Sequence, residues 1–92
     1  MSRVSQLLNK ELKKHNLSRQ ALSRAAGVSD SIVTKVMNDN VKLSVDNCIR
    51  IALALSISVD ELFDARIDDE RDELEFKSKQ TYEDVSKLNG EK

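Results

Sequence analysis

Few residues in this chain of 92 could carry covalent or metal chemistry. Cys48 is the single cysteine and His15 the single histidine, so the chain has neither an internal disulfide nor a cluster spaced for a metal. We interpret Cys48 as a small buried hydrophobe and His15 as a structural side chain at a helix end. The sequence contains no nucleophile paired with a base and no glycine-rich phosphate loop. It therefore predicts a protein that is not an enzyme and has no cofactor or metal site.

The charged side chains are divided unevenly along the chain, although the net charge is only −1. Residues 1–58 carry nine Lys or Arg against four Asp or Glu, a net charge of +5. Residues 59–92 carry six against twelve, a net charge of −6. A basic first part is typical of a surface that binds a polyanion. The acidic second part fits an interaction segment and a solvated tail equally well.

The residues that would break a helix are scarce, which predicts an all-helical fold. The chain contains no proline and only two glycines, Gly27 and Gly90. Its length fits one small domain. The longest apolar run, Ile51 to Leu55, is too short to span a bilayer, and the N-terminus lacks the apolar stretch of a secretory signal. We therefore expect a cytoplasmic protein without a membrane segment.

A recurring pattern marks four helix starts: an apolar residue, a serine, three variable residues and a second apolar residue. A serine at this position caps a helix because its oxygen accepts a hydrogen bond from an amide of the first turn. Glu61 would add a capping box at the last start. A first helix from about Ser2 to Lys14 precedes the pattern, so five helices are expected. The four predicted N-caps are Ser18, Ser29, Ser44 and Ser58.

Apolar residues at helical spacing predict one core shared by the five helices. Gly27 can take a left-handed conformation without a Cβ clash, so we expect it to end the second helix and turn the chain sharply. Leu53 lies toward the rim of the fourth helix. The predicted buried residues are Val4, Leu8, Leu12, Leu22, Ala25, Val33, Val36, Met37, Cys48, Ile49, Ala52, Leu55, Leu62 and Phe63.

The order of these elements resembles a known family. The segment Leu17 to Asn38 looks like the helix-turn-helix of the phage-repressor (Xre/Cro) family, and the stretch IRIALALSISVDELF is similar to that family's usual ending. The resemblance implies an all-α, five-helix lambda-repressor-like DNA-binding domain, over residues 1–64 in this chain. Residues 65–92 would then form an acidic, partly helical C-terminal tail. The residues that fit the family pattern best are Gly27, Val28, Ser29, Val33 and Val36.

Four residues depart from the family's usual pattern. Arg19 stands where glutamine is frequent, and Ser23 stands where alanine is. Leu53 replaces a polar residue, so we expect either that something covers it or that it completes the core. Ser56 replaces a customary glycine, which predicts a turn that is slightly strained or less left-handed.

The resemblance implies that the third helix enters a DNA major groove while the second helix braces it. Lys35 could donate to guanine O6 or N7. Asp30 could accept from cytosine N4, but we favour the interpretation that it is a favourable charge at a helix N-terminus. The implied base-contacting residues are Ser29, Asp30, Ser31, Thr34 and Lys35. The expected phosphate-contacting residues are Arg19, Gln20, Asn38, Asn40 and Lys42. Further cations could be contacts or solvated charges, namely Lys10, Lys13, Lys14 and Arg24.

Two functional classes fit this sequence. The first is a dimeric repressor that occupies a palindromic operator in double-stranded DNA, as small regulators resembling this sequence do. Its dimer would form through the fifth helix and the start of the tail, with Leu53, Phe63 and Ile67 near its centre. The second is an antitoxin-like protein whose acidic tail folds on a partner protein and which binds DNA to regulate its own synthesis.

The sequence of the tail indicates a helical first part and a polar second part. Residues from about Asp64 to Lys79 are good helix formers, and Ile67 and Leu74 stand seven positions apart. One such spacing is too little for a coiled coil, so a solvated, partly disordered extension remains an alternative to a dimerisation or partner-binding segment. The final NGEK is expected to fray.

Overall fold

The computed structural model describes the backbone of residues 1–88 and the side chains of residues 1–78. This part of the chain is all-helical and contains five helices, as the sequence predicts. None of the described helices is both long and apolar enough to cross a membrane. The final NGEK lies outside the described residues. The helices are α1 (Arg3–His15), α2 (Arg19–Ala26), α3 (Asp30–Met37), α4 (Val45–Leu55) and α5 (Val59–Leu88).

Serine side chains begin the first four helices. The predicted caps Ser18, Ser29 and Ser44 each accept a hydrogen bond from the backbone N–H three residues later, and Ser2 does the same for α1. The hydroxyl of Ser58 instead accepts from the N–H only two residues on, at 3.2 Å. Among the residues with described side chains, Glu61 makes no return bond to Ser58, so the predicted capping box is wrong.

Left-handed residues end three of the helices. Gly27 closes α2 at φ 69°, as predicted, and Asn16 closes α1 at φ 53°. Ser56 closes α4 with φ 57° and ψ 34°, so the expectation of a less left-handed turn is wrong. The amide of Ile57 donates to the carbonyl of Ala52 at 3.1 Å, and that closure requires a positive φ at position 56 whichever residue stands there.

The buried residues form one cluster between the five helices, as predicted, with two corrections. Ala25 and Ile49 are exposed, whereas Ala26 and Ile51 are buried. The inward face of α4 is rotated from the predicted one because Ile51, which is fully buried, takes the core position. The core residues are Val4, Leu8, Leu12, Leu22, Ala26, Val28, Val33, Val36, Met37, Leu43, Cys48, Ile51, Ala52, Leu55 and Leu62.

Leu53 and Phe63 behave differently from each other. Leu53 is 67% exposed, so the alternative that it completes the monomer core is wrong. Phe63 is half-buried and packs against the core cluster. Leu53 is therefore an apolar side chain that this single chain leaves in water.

Helix α5 is much longer than its apolar stripe predicts. The stripe ends at Phe63, but the helix continues without a break to Leu88, a length of 30 residues or about 45 Å. It therefore runs straight through the expected domain boundary at residue 64. Nothing in this stretch interrupts a helix, since it contains neither proline nor glycine. The start of the expected tail is part of the helical body of the protein.

Candidate nucleic-acid interface

The turn between α2 and α3 is held by two hydrogen bonds between Ser23 and Val28. The amide of Val28 donates to the Ser23 carbonyl at 3.1 Å, and the buried Ser23 hydroxyl donates to the Val28 carbonyl. Ser23 therefore satisfies a turn carbonyl that the customary alanine could not reach. The sequence places this hydroxyl at the crossing but does not indicate its acceptor.

Gly27 sits at the corner of this turn. Its positive φ disfavours any residue with a Cβ, and an added Cβ would lie 3.4 Å from a guanidinium nitrogen of Arg50 on α4. The short α2 consequently ends at Ala26, and α3 begins at Asp30 after only three intervening residues. The outward side of α3, with Ser31, Thr34 and Lys35, is exposed.

The two faces of α3 differ sharply. Val33, Val36 and Met37 are buried in the core, and the opposite side of the helix is polar and exposed. The hydroxyl of Ser29 accepts from the amide of Ile32 at 3.2 Å, so its oxygen caps the helix while its hydrogen remains able to donate. The structure brings together all five predicted base-contacting residues on this exposed face and its cap: Ser29, Asp30, Ser31, Thr34 and Lys35.

Four of the five predicted phosphate-contacting residues flank this face. Arg19 and Gln20 are exposed in the first turn of α2. Asn38 caps the C-terminus of α3, and its side-chain oxygen accepts from Arg19 Nη1 at 3.5 Å. The amide of Asn40 donates to the carbonyl of Lys35 at 2.8 Å. The start of α2 and the end of α3 thus border α3 with polar side chains.

Lys42, the fifth, is paired within the chain. Its Nζ lies 2.8 Å from Oε2 of Glu70 and 3.0 Å from Oε2 of Glu73, both on α5. Hydrogen bonds first to Glu70 and then to Glu73 raise the pKa of the Lys42 ammonium. No local pattern indicates this pairing, because the partners lie 28 or more positions away.

The loop that joins α3 to α4, residues 38–44, is fixed from two sides. Asp39 adopts φ 61°, and its carboxylate accepts from the amide and hydroxyl of Ser2 at 3.1 and 2.7 Å and from the buried Ser5 hydroxyl. These hydrogen bonds, that of Ser5 first, lower the pKa of Asp39. From α5, Arg66 Nε donates to the carbonyl of Leu43 at 3.0 Å. The loop next to α3 is therefore held by residues at the start of the chain and by α5.

Helix α5 also completes the start of α1. The carboxylate of Asp69 accepts from the amides of Arg3 at 2.9 Å and Val4 at 3.1 Å, and Arg3 Nη1 lies 2.7 Å from Asp72. A negative charge is favourable at a helix N-terminus. Sequence reasoning missed Asp69, because no local pattern links residues 66 positions apart.

The surroundings of Cys48 and His15, the two residues that could carry reactive chemistry, fit structural roles. Cys48 is fully buried, and desolvation raises the pKa of its thiol, as expected of a hydrophobe in the core. His15 Nε2 lies 3.5 Å from Oε1 of Glu11, a carboxylate that the sequence did not predict to be buried. Within the described residues, no group of three or more His, Cys, Asp or Glu could hold a metal ion.

An apolar surface runs along α4 and the first half of α5. Val45, Ile49 and Leu53 recur every four residues on the exposed side of α4, and Val45 and Leu53 are more than three-fifths exposed. A groove of about 460 Å³ between α4 and α5 is lined by Val45, Phe63 and Ile67 among others. Ile67 is half exposed. We call Val45, Ile49, Leu53, Phe63 and Ile67 the α4–α5 apolar surface.

A short α2, a glycine-ended turn and an α3 whose polar side faces solvent together define a helix-turn-helix, a fold unit that places one helix in the major groove of DNA. A family model described as helix-turn-helix matches residues 8–62, more than half of the chain. The protein belongs to this family, the Xre/Cro or lambda-repressor-like DNA-binding transcription regulators. No significant match was found among curated proteins or among solved structures. The matched region ends at Leu62, near the start of α5.

Proposed function

We propose that this DNA-binding regulator is a cytoplasmic dimeric repressor, which acts by occupying a palindromic operator and blocking transcription. One observation carries the proposal. The exposed half of α3 gathers hydroxyl, carboxylate and ammonium groups next to one another, while its other half is buried in the core. Such a helix can present its polar edge to base pairs without any rearrangement of the core.

The base-reading groups have distinct roles in this proposal. Lys35 donates to guanine O6 or N7, and Ser31 and Thr34 contact bases with their hydroxyls. Asp30 lies in the first turn of α3, where its charge is favourable even without DNA. Arg19, Gln20, Asn38 and Asn40 bind phosphates on either side. The side chain of Lys42, the fifth expected phosphate contact, is already paired with Glu70 and Glu73 of α5.

A pair of substitutions tests the DNA-reading face. We expect Lys35→Ala to relax base preference at one position and to cost about 1–3 kcal/mol of binding free energy. Arg19→Ala should weaken binding to all sequences alike and reduce the salt dependence by roughly one unit, since it removes one phosphate contact. Selection of bound duplexes from a random pool, followed by salt titrations of the binding constant, measures both effects.

Ala25→Ser is a matched control, because Ala25 is exposed on α2 and carries no proposed contact. Its affinity and base preference should equal those of the parent. If Lys35→Ala and Arg19→Ala both bound the selected duplexes as the parent does, the assignment of α3 as the reading helix would be wrong.

The α4–α5 apolar surface supports the dimer in this proposal. A symmetric partner that covered Leu53, Phe63 and Ile67 would remove exposed apolar area from water. Two copies related by a two-fold axis would present their α3 helices about 34 Å apart, the distance between successive major grooves. Two linked helix-turn-helix units also bind one DNA more tightly than either alone.

A second candidate is an antitoxin-like role in which α5 binds a partner protein. Leu74 and Phe76 favour it, because both are more than half exposed on a highly charged helix beyond the matched region. An isolated helix of this kind gains most of its stability from packing, so a bound partner would stabilise it. Co-expression with the product of the adjacent gene, followed by measurement of the complex mass, separates the two candidates: a stoichiometric heteromer supports the antitoxin, and a homodimer supports the repressor.

A further inference from the structure

Lys42 is held by two carboxylates that are themselves fixed on α5. Glu70 also pairs with Arg66 at 3.1 Å, and Glu73 also pairs with Lys77 at 3.0 Å. Because Glu70 and Glu73 stand three positions apart, they share one side of α5 and reach the same ammonium. Hydrogen bonds from Lys42 and Arg66 lower the pKa of Glu70, and those from Lys77 and Lys42 lower the pKa of Glu73. Both side chains therefore stay charged at neutral pH.

The position of Lys42 makes this pairing relevant to DNA. Lys42 belongs to the same loop as Asn38 and Asn40, which flank α3 as proposed phosphate contacts. The backbone of this loop is fixed by Asp39 on one side and by the Arg66 bond to Leu43 on the other. The long side chain of Lys42 can thus change partners while the loop stays in place.

The positive charge of a lysine that is paired with two carboxylates is offset by their negative charges, so it attracts a phosphate less strongly. Carboxylate oxygens and phosphate oxygens bind the same kind of ammonium hydrogen, so Glu70 and Glu73 compete with phosphate for the three donors of Lys42 and hold its side chain toward α5. The side chain of Lys42 is 52% exposed and those of Glu70 and Glu73 are 34% and 39% exposed, and solvent weakens such ion pairs enough for them to exchange. DNA phosphate must therefore compete with Glu70 and Glu73 for Lys42, and this competition reduces what Lys42 contributes to binding.

We propose that Glu70 and Glu73 form an autoinhibitory latch on Lys42, in which α5 occupies a phosphate-binding side chain of the free protein and lowers its affinity for DNA. This inference rests on the proposed function, because it requires that the loop face DNA. The latch makes α5 a negative regulator of the same site that the helix-turn-helix provides. Whatever draws the two carboxylates away from Lys42 would increase DNA binding.

Neutralising the latch tests it directly. The variant Glu70→Gln, Glu73→Gln should bind a selected duplex about three- to tenfold more tightly than the parent at low salt, with a salt dependence steeper by roughly one unit, because Lys42 gains a phosphate contact. The control variant Asp68→Asn, Glu75→Gln changes the net charge equally on the same helix but leaves Lys42 paired. It should gain clearly less affinity than the latch variant.

Lys42→Ala in both backgrounds separates release of Lys42 from any other effect of the substitutions. We expect little loss of affinity when Lys42→Ala is made in the parent, and loss of the whole gain when it is made in the latch variant. Equal gains in the latch and control variants would overturn the latch, as would a loss of affinity in the latch variant, which would mean that the carboxylates help DNA binding. A parent that binds no duplex would overturn the proposed function, and the latch with it.

Discussion

Three residues other than glycine adopt a positive φ within residues 1–88, namely Asn16, Asp39 and Ser56. The left-handed conformation costs most L-amino acids about 1–2 kcal/mol, but Asn and Asp tolerate it because their short side chains bond locally. Asp39 is compensated further by its bonds to Ser2 and Ser5. Ser56, which is exposed, has only its own amide bonds to α4. Of these three residues, Ser56 therefore has the backbone strain that is least compensated by other interactions.

Ser56→Gly should stabilise the protein by about 0.5–1 kcal/mol, because glycine adopts this conformation freely but loses more entropy on folding. The free energy of unfolding in urea measures the change. Asn16→Gly, at the equivalent end of α1, is the matched control and should change stability by less than Ser56→Gly. Loss of stability in Ser56→Gly would mean that the hydroxyl, rather than the backbone, determines the energy of this turn.

Asp39 links the stability of the protein to pH. Its pKa is lower in the folded chain than the ordinary value of 3.8, chiefly because the hydroxyl groups of Ser5 and Ser2 donate to it. The carboxylate therefore stabilises the fold above about pH 4, and this contribution is lost as pH falls through the folded-state pKa. Asp39→Asn retains a residue that tolerates a positive φ but removes the charge.

We expect Asp39→Asn to be less stable than the parent at pH 7 and the difference to shrink steadily as the pH is lowered from about 5 to 3. Urea unfolding of both proteins across this range measures it. A difference that stayed constant with pH would show that the bonds of Asp39, and not its charge, stabilise the loop.

At the scale of the helices, the parts that could be predicted from sequence are those encoded locally. Ser18, Ser29 and Ser44 act within three residues of themselves, so their positions alone predict where α2, α3 and α4 begin. Gly27 likewise predicts the turn. The buried face of α4 was predicted only in part, because Ile49 and Ile51 are equally apolar and tertiary packing decides which one turns inward.

The contacts of α5 could not be predicted in this way. Asp69 and Glu70 belong to a run of charges that suits a solvated tail just as well, and their partners lie far away in sequence. For the candidate site, the exposed residues of α3 follow from the motif, whereas the pairing of Lys42 depends on where α5 passes. Local patterns therefore predict the exposed face of α3 but not the helix that holds its neighbouring loop.

Asp69→Ala should weaken the contact between α5 and α1. The substitution removes two charge-assisted hydrogen bonds to the first amides of α1, so we expect a loss of about 1–2 kcal/mol. For a domain of this size that corresponds to a fall in Tm of roughly 4–16 °C. Thermal unfolding followed by circular dichroism measures it.

Asp68→Ala is the neighbouring control for this prediction. Within the residues whose side chains are described, Asp68 pairs only with Arg71 on its own helix, at 3.4 Å, and surface pairs of this kind contribute little. Its Tm should remain within a few degrees of the parent value. Equal Tm values for the two variants would contradict the role assigned to Asp69.

At the scale of the whole molecule, the exposed apolar residues and the proposed DNA contacts lie on different parts of the chain. The apolar surface belongs to α4 and α5, and the polar reading face belongs to α3. A partner can therefore cover the first without blocking the second. This separation is what a dimer that binds DNA needs.

We expect the parent to sediment as a dimer at micromolar concentration, and the variant Leu53→Glu, Ile67→Glu to be monomeric and equally helical, because carboxylates would be buried at the dimer centre. The variant should also lose tight operator binding. Analytical ultracentrifugation, circular dichroism and a binding titration measure the three properties. Phe76→Glu is the control, since Phe76 stands nine positions, or about 180°, from Ile67 around α5. A parent that sediments as a monomer both free and on DNA would contradict the dimer.

The bonds from Asp69 to Arg3 and Val4 join the chain across 66 and 65 positions. During translation at about 5–20 residues per second, the start of α1 would wait roughly 3–13 s for the residue that completes it. The nascent domain would reach its final fold only when the first turns of α5 have left the ribosome. A message truncated after Leu62 would encode the whole matched helix-turn-helix and still yield a chain whose α1 remains open to proteases.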